Sequence, residues 1–339
     1  MKKILFAIML LFACVSCNMA EITGSDQSKL GQISFNCTKT KAEVTAASQI
    51  TEFGVFAEQN LGKDGTAEAT QWYSLLANEK IYRNTAGKFI YDNPRYWVDN
   101  RTFRFFAYYP YIAEAVVPIT GLTRIAPVEN ATAFPEFNMD YVTPQSADAD
   151  MLVATYLTTI DNDPDTAYPV VDIDFYHTLS RVSIQVAKHD KNKENKIEIT
   201  NIEFGGVAKS ATYNTLSGTW SGHSDYLEAF TTTQTLNEGD ISFHEVFKGI
   251  YLPQSVNKGN KNLYIKVTYE FYTYSEEEGW KADDESYSAT AYLPVGEWEP
   301  SKSYVYKMTL SAVDNTISFK SPTVDTWGTP NPAGGIIIQ

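Results

Sequence analysis

The chain has 339 residues, 14% of them aromatic (22 Tyr and 18 Phe), and a formal net charge of −14. That acidity argues against nucleic acid or an anionic membrane surface as the main partner, and the length allows two domains with full cores. Three cysteines are too few for a disulfide-stapled scaffold.

Residues 1–17 read as a secretory signal. Lys2 and Lys3 open it, the apolar run Ile4 to Ala13 follows, and Cys14 and Cys17 close it. The run is too short to span a bilayer as a helix. A small residue precedes each cysteine (Ala13, Ser16), so the segment resembles a bacterial lipoprotein signal, and either Cys14 or Cys17 is the expected lipidation site. If Cys14 is the anchor, Cys17 and Cys37 both survive and could pair; if Cys17 is, Cys37 stands alone. Cys37 itself reads as a buried small hydrophobe. No other apolar run approaches the length of a membrane span. Without Lys2 and Lys3 the net charge becomes −16.

Residues 18–30 are polar and aperiodic, a tether. Ile33, Phe35 and Cys37 then alternate with Ser34 and Asn36, which predicts a half-buried strand. Further strands are expected at Phe53–Ala57, Lys80–Arg83, Lys88–Tyr91, Thr102–Tyr109 and Met151–Tyr156, with a loop from Asn60 to Thr70. Segment 112–150 carries four prolines and reads as loop-rich. Thr158 to Pro169 reads as a hinge, dividing the body into units 31–163 and 164–339. Beyond it the pattern restarts at Val171, Ile173 and Phe175, and continues through Arg181–Ala187, Lys196–Phe204, Phe247–Leu252, Leu263–Tyr274, Ser286–Leu293, Tyr304–Leu310 and Thr316–Phe319. Glu276 to Gly279 reads as a hairpin turn. No stretch shows a convincing 3.6-residue period, so the fold class is all-β, built as sandwiches or barrels. Phe103, Phe105 and Ala107 share one strand face while Phe106 and Tyr108 share the other, so this strand must be buried or covered on both sides. Trp97 is expected to pack against it, and these aromatics read as packing rather than ligand stacking.

Tyr91-Asp92-Asn93-Pro94-Arg95-Tyr96-Trp97 followed by Phe103-Arg104-Phe105-Phe106-Ala107-Tyr108-Tyr109-Pro110 resembles a block of the fimbrillin family, lipoprotein subunits of type V pili. Ile50 to Ala57, Asp150 to Ala154, Phe175 to Val182, Leu252-Pro253-Gln254, Trp298 to Tyr304 and Val324 to Trp327 are similar to further blocks in the same order. The resemblance implies two transthyretin-like β-sandwich domains in tandem. It also implies assembly by strand addition: a protease removes the first strand, and a neighbour's C-terminal tail fills the groove. The leaving strand would be Gly31–Cys37, with Ile33 and Phe35 as core plugs. The donor would be the tail Thr316–Gln339, ending in the β-branched run Ile336, Ile337 and Ile338. Family processing is at arginine, but the first arginine here is Arg83, so Lys39 and Lys41 are the candidate cleavage points, or the subunit keeps its first strand. The implied partners are other pilus subunits, the outer membrane through the lipid anchor, and a host protein or glycan receptor.

No catalytic residue, metal site or cofactor is expected. His177, His189, His223 and His244 lie in separate segments without metal-ligand spacing, and His177 reads as a packed strand residue. There is no nucleophile elbow, phosphate loop or dinucleotide fingerprint. Asp161 to Asp165 with Asp172 mimics a calcium loop but lacks its glycine and carries Pro164. Glu276–Glu278 and Asp283–Glu285 read as solvated turn charges. The alternatives are a surface glycan-binding lipoprotein, which needs an exposed aromatic platform, and a secreted hydrolase, which needs converging carboxylates. Mass spectrometry of the native N terminus is expected to find a lipid-bearing Cys14 or Cys17 as first residue, or a processed chain that starts after Lys39 or Lys41.

Overall fold

The computed structural model describes residues 31–39, 50–60, 71–113, 121–143, 150–163, 165–226, 233–258, 261–294 and 296–327. Among these the chain is all-β, and its one helical turn is a 3-10 turn at Asp190–Asn192. The first ten strands are β1 (Phe35–Lys39), β2 (Glu52–Asn60), β3 (Trp72–Arg83), β4 (Phe89–Ile90), β5 (Arg101–Tyr109), β6 (Gly121–Pro127), β7 (Phe137–Val142), β8 (Leu152–Ile160), β9 (Val171–Asp174) and β10 (Tyr176–His177). Then come β11 (Ser180–Lys188), β12 (Lys196–Gly205), β13 (Ala208–Asn214), β14 (Thr219–Tyr226), β15 (Gln234–Leu236), β16 (His244–Tyr251), β17 (Asn257–Lys258) and β18 (Lys261–Asn262). The last six are β19 (Tyr264–Ser275), β20 (Gly279–Ala282), β21 (Tyr287–Tyr292), β22 (Lys302–Ser311), β23 (Thr316–Phe319) and β24 (Thr323–Thr326).

A six-stranded sheet, ordered β10-β8-β5-β2-β3-β4, forms the centre of the first half. Its middle strands are apolar on both faces, as the alternation in 103–108 requires, and each face meets a different layer. Phe53, Val55, Phe103, Phe105 and Ala107 join Ile33, Phe35, Cys37, Val171 and Ile173 of the two-stranded β1–β9 layer in one core. Trp97 packs edge-on at 4.8 Å from Phe103 and 5.8 Å from Phe105. On the other face Phe106 and Tyr108 join Phe137, Met139, Tyr141, Ala211 and Tyr213 of a four-stranded sheet, β14-β13-β7-β6. Phe137 lies 4.5 Å from Phe56 and stacks on Phe106 at 5.3 Å, so aromatic contacts bind these two layers.

The second half is a sandwich. One sheet runs β16-β11-β22-β23, with β24 on the same edge of β22. The other runs β15-β12-β19-β20, with β21 also on β19. Between them lies a core of Val182, Ile184, Val186, Ile199, Phe204, Ile265, Val267, Tyr306, Met308 and Trp298.

Two expectations are corrected. Segment 112–150 is not simply loop-rich: it holds β6 and β7, where Phe137, Met139 and Tyr141 point into the core. The expected strand series contained nothing between 205 and 246, yet β13 and β14 lie there and extend β7 by antiparallel pairing. Strand pairs join residues on either side of 163–164, since β9 runs parallel to β1 and β10 pairs with β8. The expected hinge is also partly strand, since β8 continues to Ile160. Pairing partners, not the strands' own patterns, decide these points.

Two glycines sit under tyrosine rings on the neighbouring strand: Gly54 opposite Tyr108, and Gly205 opposite Tyr264. A Cβ at either would lie 2.2 Å from ring carbon. Tyr108 is fully buried and its phenol reaches Asn78, so it cannot swing away, whereas Tyr264 is half-buried. Gly54→Ala is therefore expected to cost about 1–3 kcal/mol in urea unfolding, and Gly205→Ala less.

Candidate strand-exchange site

Gly31 to Lys39 is held along both flanks. On one, Ile33 N donates to the Arg95 carbonyl at 2.8 Å and Trp97 N donates to Gly31 O at 2.7 Å, around an antiparallel bridge between Gln32 and Tyr96. On the other, β1 pairs in parallel with β9, and Val171 N donates to Ser34 O at 2.8 Å. Tyr91 adds a clasp: its phenol donates to Ile33 O at 2.9 Å and accepts from Arg95 N at 3.0 Å. Asn36 donates to Asp172 Oδ1 at 3.0 Å. Gly31 has φ +67°, and a Cβ there would strike the Tyr168 ring at 2.7 Å, so the entry to this segment needs glycine.

Between these rails Ile33, Phe35 and Cys37 point into the core, all at 5% exposure or less. Phe35 is the centre of an edge-to-face cluster, 5.5 Å from Tyr91, 6.0 Å from Phe105 and 6.3 Å from Phe53. Burial of Ile and Phe contributes roughly 1.5–3 kcal/mol each. The segment is thus held by hydrogen bonds on both flanks and by three buried side chains. Burial also raises the Cys37 thiol to about 11, with Asp174 adding and Arg83 opposing. Burial likewise lifts the Tyr91 phenol to about 12.

The expected donor, Thr316–Gln339, is divided. Its first part is built into the chain's own sheet: β23 and β24 both pair with β22. Trp327 closes that part. Its backbone N–H donates to Ser301 O at 2.7 Å, and its ring, 3% exposed, stacks on His177 with centroids 4.0 Å apart. His177 Nδ1 lies 2.5 Å from Asp150 Oδ2 with both side chains buried, and Asp150 Oδ1 accepts from Met151 N at 2.8 Å. The remainder of the tail, with Ile336, Ile337 and Ile338, lies outside the described residues, as do Cys14, Cys17 and Lys41. Lys39 is the last residue of β1, opposite Asp174, and its side chain is not described.

Each remaining histidine has a structural partner. His189 caps the 3-10 turn, His223 Nε2 lies 2.7 Å from Pro253 O, and His244 Nε2 lies 2.7 Å from Asp240. Asp163, in the calcium-loop mimic, accepts from Thr166 Oγ1 at 2.6 Å and Asp165 N at 3.0 Å, so its carboxylate shapes the turn. Among the described residues no three His, Cys, Asp or Glu side chains form a metal cluster. Sequence reasoning missed the Tyr91 clasp, the parallel partner β9 and the Asp150–His177–Trp327 stack; the alternation in 171–173 was the only trace of β9.

A family model described as fimbrillin-like matches residues 39–327. Among solved structures, a fimbrial protein from Bacteroides vulgatus superposes with a TM-score of 0.62 at 17% identity, over 87% of this chain and 99% of that one. A fimbrial assembly protein from Parabacteroides distasonis gives 0.42 at 12% identity, over 87% and 98%. Comparison with curated proteins returns no match.

Cys37 reports on this site. In the folded protein it is expected to resist a thiol reagent at pH 8, and to react once β1 is released, with a Cys37→Ala chain as the blank. The folded thiol stays neutral up to about 11 while the ordinary value is 9.0. Rising pH through that window therefore favours the unfolded chain. Relative to Cys37→Ala, denaturant stability should fall between pH 9 and 11 and stay level below pH 9.

Proposed function

Since the chain belongs to the fimbrillin-like family, we propose that it is a surface-anchored pilus subunit that joins its neighbours by β-strand addition. The neighbours are copies or relatives of this chain, and the anchor is a lipid on Cys14 or Cys17 in the outer membrane. The reading treats the body as two transthyretin-like sandwiches. Its work is structural and adhesive rather than catalytic.

One observation carries this reading: the first described segment, residues 31–39, supplies three buried plugs, Ile33, Phe35 and Cys37. Cleavage at Lys39 or Lys41 would separate that strand from the rest of the chain. Its loss would leave apolar slots beside the free edges of β9 and of residues 95–97, a template for an incoming strand. A strand presents side chains to one face with period two, so Ile336 and Ile338 of a neighbour's tail have the spacing to refill two slots.

Low-dose trypsin on the purified chain is expected to nick at Lys39 or Lys41 and to yield high-mass ladders on an unboiled gel. Lys39→Gln with Lys41→Gln should block the nick and the ladder together. Deleting residues 328–339 should permit the nick and abolish the ladder. A ladder that survives the deletion, or a nicked full-length chain that stays monomeric, would overturn strand addition.

A further inference from the structure

A cleft of about 760 Å³ opens between β14 and the paired segments 253–255 and 297–300, and shares no residue with the strand-exchange site. Its volume falls in the range of small-ligand sites. One wall is Trp220, half-buried, whose indole N–H donates to Thr178 O at 2.7 Å and whose ring is braced by Tyr213 at 5.2 Å and Tyr141 at 6.0 Å. A ring tied at its nitrogen and packed on two neighbours is a rigid platform.

The lip bears Glu297 and Glu299, both exposed. Among the described residues, neither carboxylate has an ion pair or a hydrogen bond, although the backbone beneath them is fixed. The Tyr304 phenol donates to Glu297 O at 2.8 Å and accepts from Glu299 N at 2.9 Å. Between them the buried Trp298 donates to the Tyr306 phenol at 3.0 Å. Gly222, at φ +68°, has nothing within 4 Å of where a Cβ would stand, so the approach beside Trp220 is open.

A fixed indole and two acceptor carboxylates lining one cleft suit a ligand that is apolar on its flat side and rich in hydroxyl donors at its rim. That is the chemistry of a neutral pyranose. Acidic sugars are disfavoured by the two carboxylates and by the chain's net charge of −14. An extended peptide suits the cleft less well. The register of β14 against β13 shifts between Ser210 and Thr212, Gly222 takes the strand out of extended geometry, and the His223 ring reaches across to Pro253 O. A broken edge is a poor template for strand pairing. We propose that this cleft binds neutral oligosaccharide, with one pyranose ring on Trp220 and its hydroxyls donating to Glu297 and Glu299.

The test is binding of the intact chain to a printed array of neutral oligosaccharides, their sialylated and sulfated counterparts, and a Lys/Arg-rich peptide. The expected result is binding to at least one neutral glycan, weakened tenfold or more by Trp220→Ala. Because Trp220 also packs, Glu297→Gln with Glu299→Gln serves as the second variant. It should lose tenfold or more with an unchanged melting temperature. Trypsin ladders should be unaffected in both variants, which keeps this outcome separate from strand addition. Absence of any neutral-glycan signal, preference for the acidic glycans or the peptide, or undiminished binding by both variants would overturn the proposal.

Discussion

The structure depends on a sheet that is apolar on both faces. Strand β5 turns Phe103, Phe105 and Ala107 one way and Phe106 and Tyr108 the other, and all five are buried. A single sandwich covers only one face of such a sheet, so a third layer is obligatory. The chain provides two covers of different character. The four-stranded sheet is broad and stitched on by Phe137. The β1–β9 layer is narrow, and half of it is the first described strand.

That asymmetry suits the strand exchange proposed above. Removing residues 31–39 breaks the contacts along both of their flanks, to β9 and to residues 95–97, and uncovers Phe53 and Phe105, which pack against Phe35. The exposed apolar surface then favours whatever strand arrives next.

The broad cover also ties the two halves together. β6 and β7 come from residues before 150, β13 and β14 from residues after 200, and they form one sheet. Ile250, Leu252 and Trp327 reach the same core. The Trp327–His177 stack therefore joins the end of the described chain to β10 of the central sheet. The cleft beside Trp220 belongs to this junction, since β14 forms one wall and the 297–300 segment the other. The 31–39 segment and this cleft share no residue.

The alternation of Ile33, Phe35 and Cys37, the two-faced run from 103 to 108, and the ordered aromatic blocks were enough to identify an all-β chain of this family with its leading strand. Those features are local: a strand's faces are written with period two along its own residues. Strand β7 carried the same signal in Phe137, Met139 and Tyr141, but four prolines between 112 and 150 obscured it. What no local pattern could contain was the choice of partners. That β9 lies parallel to β1, that β13 crosses to β7, that Tyr91 clasps Ile33, and that Trp220 and Glu297 face one cleft are all decided by contacts between residues far apart in the chain. Hydrogen-bond ladders accept any strand of fitting face, and only the simultaneous burial of every face in the folded molecule selects one pairing among them.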